Sequence, residues 1–84
     1  MVNVRYFARL REDLGCSSEV LELPREVNTV AALRSLLAAR GEAWSASLRA
    51  DKAVRVAVNQ EMAGDATALK PGDEVAFFPP VTGG

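Results

Sequence analysis

From the second residue, apolar and polar positions alternate. In VNVRYFA (2–8), Val2, Val4, Tyr6 and Ala8 share one face while Asn3, Arg5 and Phe7 share the other, the period of a strand half-buried against a core. The period changes in RLREDLG (9–15), where Leu10 and Leu14 lie four apart and Gly15 supplies a stop, predicting a short helix. SSEVLEL (17–23) returns to alternation, with Glu19, Leu21 and Leu23 on one side and Val20 and Glu22 on the other. TVAALRSLLAARG (29–41) predicts the main helix. Thr29 caps it, Val30, Leu33, Leu36 and Leu37 form its apolar stripe, Arg40 lies in the last turn and Gly41 is a left-handed stop. Trp44 and Leu48 predict a further turn or two of helix, with Trp44 in the core. AVRVAV (53–58) is a strand with Val54, Val56 and Val58 inward. Asn59-Gln60 turns it into a short strand holding Glu61 and Met62. A Pro71-Gly72 turn precedes DEVAFF (73–78), the last strand, which Pro79-Pro80 ends.

Strand, short helix, strand, long helix and three strands predict an α+β fold, one sheet with its apolar face under the long helix. Parity then sorts the other face. Phe7 lies opposite the valines of its strand, and Phe78 lies opposite Val75 and Phe77. Across a two-residue turn Val58 pairs with Glu61 and Ala57 with Met62, which sends Met62 outward and Glu61 inward unless Glu61 lies at the sheet margin. A single surface apolar residue needs no explanation. Phe7, Met62 and Phe78 together beside the C-terminal segment read as a docking patch.

Composition narrows the chemistry. Eighty-four residues, 49% hydrophobic and 25% charged, suit one domain. A net charge of −1 gives no general attraction to nucleic acid or anionic membranes, and no apolar run approaches the ~20 residues of a membrane span. The opening residues lack the layout of a signal peptide, so a cytoplasmic setting is expected. There is no histidine and one cysteine, which excludes Cys/His zinc sites, Ser-His-Asp triads and internal disulfides. Neither a Walker-type nor a dinucleotide-binding glycine loop occurs. Catalysis, if any, needs a partner's machinery. Cys16 has no adjacent histidine or lysine and reads as an incidental thiol. Arg5, Arg9 and Arg11 read as solvated charges that can also serve docking ion pairs.

The end of the chain, FFPPVTGG (77–84), is the exception to ordinary patterning. Pro79 and Pro80 remove ladder donors and stiffen the exit from the sheet. From Val81 the last four residues reach ~13 Å when extended. Gly83 and Gly84 lack a Cβ and fit a slot closed to other residue pairs. A bare Gly-Gly end is usually only a mobile terminus; the prolines and the neighbouring apolar face favour a presented one. A terminal carboxylate is an anion at neutral pH and a poor electrophile, so its use as a chemical handle requires activation, most simply as an acyl-adenylate.

AFFPPVTGG at the end and VRYFARLRE at the start resemble the small sulfur-carrier subunits of molybdopterin synthase, a ubiquitin-like β-grasp family, over essentially the whole chain. The resemblance implies a β-grasp domain over 1–78, with about five strands of mixed sheet on one main helix, and an extended tail over 79–84. It implies that the chain is a co-substrate and subunit of a heteromer rather than an enzyme. An E1-like adenylyltransferase, using ATP and magnesium, activates Gly84; a sulfurtransferase or cysteine desulfurase supplies sulfur; and the thiocarboxylate enters the large catalytic subunit. There it sulfurates cyclic pyranopterin monophosphate. Pro79, Pro80, Val81, Thr82 and Gly83 are the corresponding tail, and Phe7, Met62 and Phe78 the docking positions. No cofactor or metal on this chain is implied. The alternatives are a carrier for thiamine synthesis or tRNA thiolation, a ubiquitin-like protein modifier, and a non-catalytic β-grasp interaction module.

Overall fold

Val2, Val4 and Tyr6 are buried in β1 (Val2–Tyr6), and the intervening Asn3 and Arg5 are exposed. The computed structural model describes residues 1–49 and 51–80. β1 is followed by α1 (Arg9–Leu14), β2 (Ser18–Leu21), α2 (Val30–Ala38), α3 (Glu42–Leu48), β3 (Arg55–Val58), β4 (Glu61–Ala63) and β5 (Glu74–Phe78). The strands form one sheet in the order β2-β1-β5-β3-β4. β1 and β5 run parallel at its centre, with Tyr6 opposite Phe77, and the remaining pairs are antiparallel. This mixed sheet under a helical layer is the β-grasp architecture.

The inner face contributes Val4, Tyr6, Val56, Val75 and Phe77 to a core that Val30, Leu33 and Leu37 of α2, Leu48 of α3 and Leu10 of α1 close from above. Burying such side chains is worth about 1.5–3 kcal/mol each, so this cluster dominates the driving force for folding. Tyr6 is its hinge point. Its ring stacks on Phe77 at 6.0 Å and meets the half-buried Trp44 edge-on at 5.5 Å.

The first turn of α2 is satisfied from two sides. Thr29 Oγ1 accepts the Ala32 N–H at 3.2 Å, while Val30 and Ala31 donate to the carbonyls of Thr67 and Asp65. Gly15, at φ 64°, closes α1 with its N–H on the Arg11 carbonyl, as its position predicts.

Several expectations change. The helical turn or two expected at Trp44 and Leu48 is a full α3. α2 stops at Ala38, before Arg40. Its cap is Ala39 in right-handed geometry, and Gly41, at φ 155°, opens α3 instead of closing α2. β1 ends at Tyr6, and Ala8 is exposed rather than inward. β2 ends at Leu21, short of Leu23.

The apolar stripe of α2 also has a different member. Leu36 is 37% exposed, and Arg34 is buried. Arg34 Nε donates to the Leu48 carbonyl at 3.1 Å, Nη2 donates to those of Arg49 and Lys52 at 2.8 and 2.9 Å, and Nη1 meets the Asp65 carboxylate at 3.3 Å. The guanidinium fork thus ties together carbonyls at the end of α3 and in the segment just beyond it. Glu61 is exposed because β4 is the sheet edge, which removes the conflict its parity creates.

Candidate docking face and the root of the tail

Parallel pairing places equivalent positions of β1 and β5 side by side, so one step beyond the inward pair Tyr6–Phe77 the chain turns Phe7 and Phe78 outward together. Their rings stack at 4.8 Å, 8° from parallel. The Phe7 N–H donates to the Phe77 carbonyl at 3.1 Å and holds the two chains in step past the end of β1. The Arg5 guanidinium lies 5.8 Å from the Phe7 ring centre and 3.6 Å from the Glu74 carboxylate, so that cation is already engaged within the chain.

Met62 reaches the same face through the β3–β4 turn. Asn59 and Gln60 have φ of 51° and 69°, the two left-handed residues of a type I′ hairpin. Asn59 tolerates that geometry and is pinned on both sides: its amide donates to Asp73 at 3.0 Å, and its Oδ1 accepts the Glu74 N–H at 3.0 Å. The Asn59 amide, followed by the Lys70 N–H, holds the Asp73 carboxyl below the usual carboxylate range. The turn pairs Val58 with Glu61 and Ala57 with Met62, leaving Met62 60% exposed.

Between these residues lies a depression of about 370 Å³, lined by Ala8, Arg55, Met62, Phe78 and Pro79. Ala57 and Ala76 face each other across β3 and β5 on the same side of the sheet. Both are small enough to be buried beneath their larger neighbours. The chain leaves the sheet along the wall of this groove at Pro79, and Pro80 is exposed. Phe7, Met62 and Phe78 therefore occupy one face, Met62 joined to Phe78 by the groove and Phe7 by stacking. Val81, Thr82, Gly83 and Gly84 lie outside the described residues.

Ala8 has φ 53° and ψ −129°, a conformation that favours glycine. It occupies the first central position of a turn closed by the Leu10 N–H on the Phe7 carbonyl at 3.2 Å. The turn swings the chain from β1 into α1 directly behind Phe7.

On the inner side, Glu19 accepts hydrogen bonds from the Tyr6 hydroxyl and from Arg40, both at 2.8 Å, and Arg40 also lies over the Trp44 ring. Burial and then the Glu19 hydrogen bond push the Tyr6 hydroxyl pKa well above its usual value. Burial works against the Glu19 carboxylate, but hydrogen bonds from Arg40 and Tyr6 outweigh it and hold the pKa low; the Glu19 bond in turn raises that of Arg40. The Cys16 thiol is directed at two acceptors, the Ser18 carbonyl at 3.6 Å and the Glu19 carboxylate at 4.0 Å. Among the described residues no three His, Cys, Asp or Glu side chains are grouped to hold a metal ion, and no helix is long and apolar enough to cross a membrane.

The ThiS family model matches residues 4–84. The chain belongs to the ThiS family. It is 43% identical over 84 residues to a Haemophilus influenzae protein named molybdopterin synthase sulfur carrier subunit, covering 100% of both chains. It is also similar to Haloferax volcanii SAMP1, a small archaeal modifier protein, at 28% identity and TM-score 0.74, over 99% of this chain and 98% of that one. A subunit in the complex of subunits 1 and 2 of molybdopterin-converting factor from Helicobacter pylori matches at 27% identity and TM-score 0.68, over 99% and 97%.

Sequence reasoning missed three residues of this region. Val20, opposite Asn3 and 61% exposed, is outward by the same parity that found Phe7. Arg55 lies opposite Phe78, a pairing that becomes visible only once β3 is known to lie beside β5. The geometry of Ala8 carries no sequence signal, since glycine is the residue expected there.

Proposed function

We propose that the chain is a sulfur carrier in molybdenum cofactor biosynthesis, the small subunit of a heteromeric molybdopterin synthase working in the cytoplasm. The carrying observation is that the apolar groove and the root of the tail are one feature. Phe78, Met62 and Pro79 line the same depression, so a partner that covers it also receives the segment that follows. Residues 1–78 are the body that docks, through Phe7, Met62 and Phe78, and residues 79–84 are the arm. The family membership and the name of the Haemophilus influenzae relative support the same reading.

The chemistry belongs to Gly84. On an E1-like adenylyltransferase a carboxylate oxygen attacks the α-phosphorus of ATP, with magnesium bound by that enzyme, and pyrophosphate leaves. The terminal sulfur of a persulfide on a sulfurtransferase or cysteine desulfurase attacks the carbonyl carbon and displaces AMP, giving an acyl disulfide with that donor. A second thiol then attacks the donor's sulfur, forms an ordinary disulfide with it and releases the thiocarboxylate. Its anionic sulfur is nucleophilic near neutrality, as a thiolate is, and glycine leaves it unhindered. Val81 and Thr82 are the spacer and Gly83 the slim approach that let it enter the large subunit, whose residues catalyse transfer to cyclic pyranopterin monophosphate.

Intact mass after incubation with the activating enzyme, ATP-Mg and the sulfur donor tests the reading. The expected product gains the difference between one sulfur and one oxygen, and it converts the pterin precursor when the large subunit is added. An unchanged mass, with a control carrier sulfurated in parallel, overturns the reading. Likeness to SAMP1 favours a second reading, a protein modifier. Gly84 in isopeptide linkage to lysines of other proteins, with no thiocarboxylate formed, would decide for it.

A further inference from the structure

Resting on the docking role given to the outer face, we propose that Arg55 sets the partner specificity of the groove. The surface takes a protein that offers one apolar side chain to the space between Phe78 and Met62 and a carboxylate to the Arg55 guanidinium.

Arg55 is exposed at the groove margin, opposite Phe78 in the β3–β5 register. The other arginine of this face, Arg5, is already bound to Glu74 and lies over the Phe7 ring. Arg55 makes no ion pair among the described residues, although Arg9, Arg34, Arg40 and Arg49 all do. The groove lining contains no acidic residue that could neutralise it. When a partner covers the groove, the guanidinium loses water and needs an acceptor; an apolar or cationic contact there is penalised. A carboxylate fits best because the planar fork binds it through two parallel hydrogen bonds.

A second copy of the chain fits poorly. A symmetric contact through this face would bring two Arg55 groups toward one another with no carboxylate on either groove wall. The occupant is therefore a different protein whose apolar contact residue has an acidic neighbour.

Association and dissociation rates of wild type, Arg55→Gln, Arg55→Glu and Arg55→Lys with the large synthase subunit test this, measured at several salt concentrations. Far-UV circular dichroism checks that each variant is folded. Arg55→Glu is expected to weaken binding about tenfold or more, mainly by faster dissociation and with some slowing of association. Arg55→Gln should flatten the salt dependence, and Arg55→Lys should keep it. Arg55→Glu binding like wild type, with the same salt dependence, overturns the inference and leaves the docking reading standing. Wild type failing to bind the large subunit overturns both. Sedimentation of the chain alone supplies the remaining outcome: a wild-type dimer disrupted by Phe78→Glu would make a second copy the occupant and overturn the inference.

Discussion

Phe7 and Phe78 stack at 4.8 Å on the face of the sheet that the helices leave uncovered. Seventy-one positions apart in sequence, they meet because β1 and β5 are parallel neighbours whose inward pair is Tyr6–Phe77. A pre-stacked aromatic pair loses little side-chain freedom on binding, which suits it to anchor a partner.

Phe78→Glu should weaken binding to the large subunit by about 2 kcal/mol or more, roughly thirtyfold, the range of an aromatic anchor. Phe78 is half-buried and outward, so the variant should keep its far-UV spectrum and a cooperative melt. Titration calorimetry beside a thermal melt reads both. A variant that fails to fold would show the ring to be part of the core.

Ala8→Gly should stabilise the protein. Relief of a left-handed alanine is worth about 1–3 kcal/mol, and the extra freedom of glycine in the unfolded chain offsets about 0.5–1 kcal/mol of that. A net gain near 1 kcal/mol should raise the melting temperature by about 4–8 °C for a domain of this size. A lower midpoint would contradict the geometry of the Phe7–Leu10 turn.

Arg34→Met should cost about 2–3 kcal/mol, because it leaves the buried Leu48 carbonyl without its side-chain donor and removes the part-buried contacts to the carbonyls of Arg49 and Lys52. Arg34→Lys should not restore it, since one ammonium cannot reproduce the fork. Asp65→Asn should cost less than about 1 kcal/mol, as that carboxylate is largely exposed. Urea unfolding of the three variants separates the carbonyl contacts from the ion pair; equal losses for Arg34→Met and Asp65→Asn would reverse this ranking.

The Glu19–Tyr6–Arg40 cluster should make stability depend on pH at both ends. The Glu19 pKa is lower folded than unfolded, so its contribution is present above the unfolded value and is lost as pH falls through the folded one. The Tyr6 pKa is higher folded than unfolded. Its contribution is complete below the unfolded value of about 10 and is lost as pH rises above it. Urea midpoints across pH should show a shallower acid slope for Glu19→Gln and a shallower alkaline slope for Tyr6→Phe. Slopes identical to wild type would show that the cluster does not titrate with unfolding.

Alternation along VNVRY and EVAFF was sufficient by itself to assign each side chain to one face of the sheet or the other, because the two-residue period of a strand does not depend on its neighbours. Thr29 and Gly15 were legible for the same reason: capping is a contact between residues a few positions apart. Leu36 and Arg34 were not. Both satisfy a helical period, and the choice between them depends on carbonyls at 48, 49 and 52 that approach only when α3 packs on α2. Strand order likewise decided that Arg55 faces Phe78 and that Glu61 lies at an edge. Local periodicity assigns each residue a face; only the folded chain decides which faces meet, because that choice lies in contacts between segments distant in sequence.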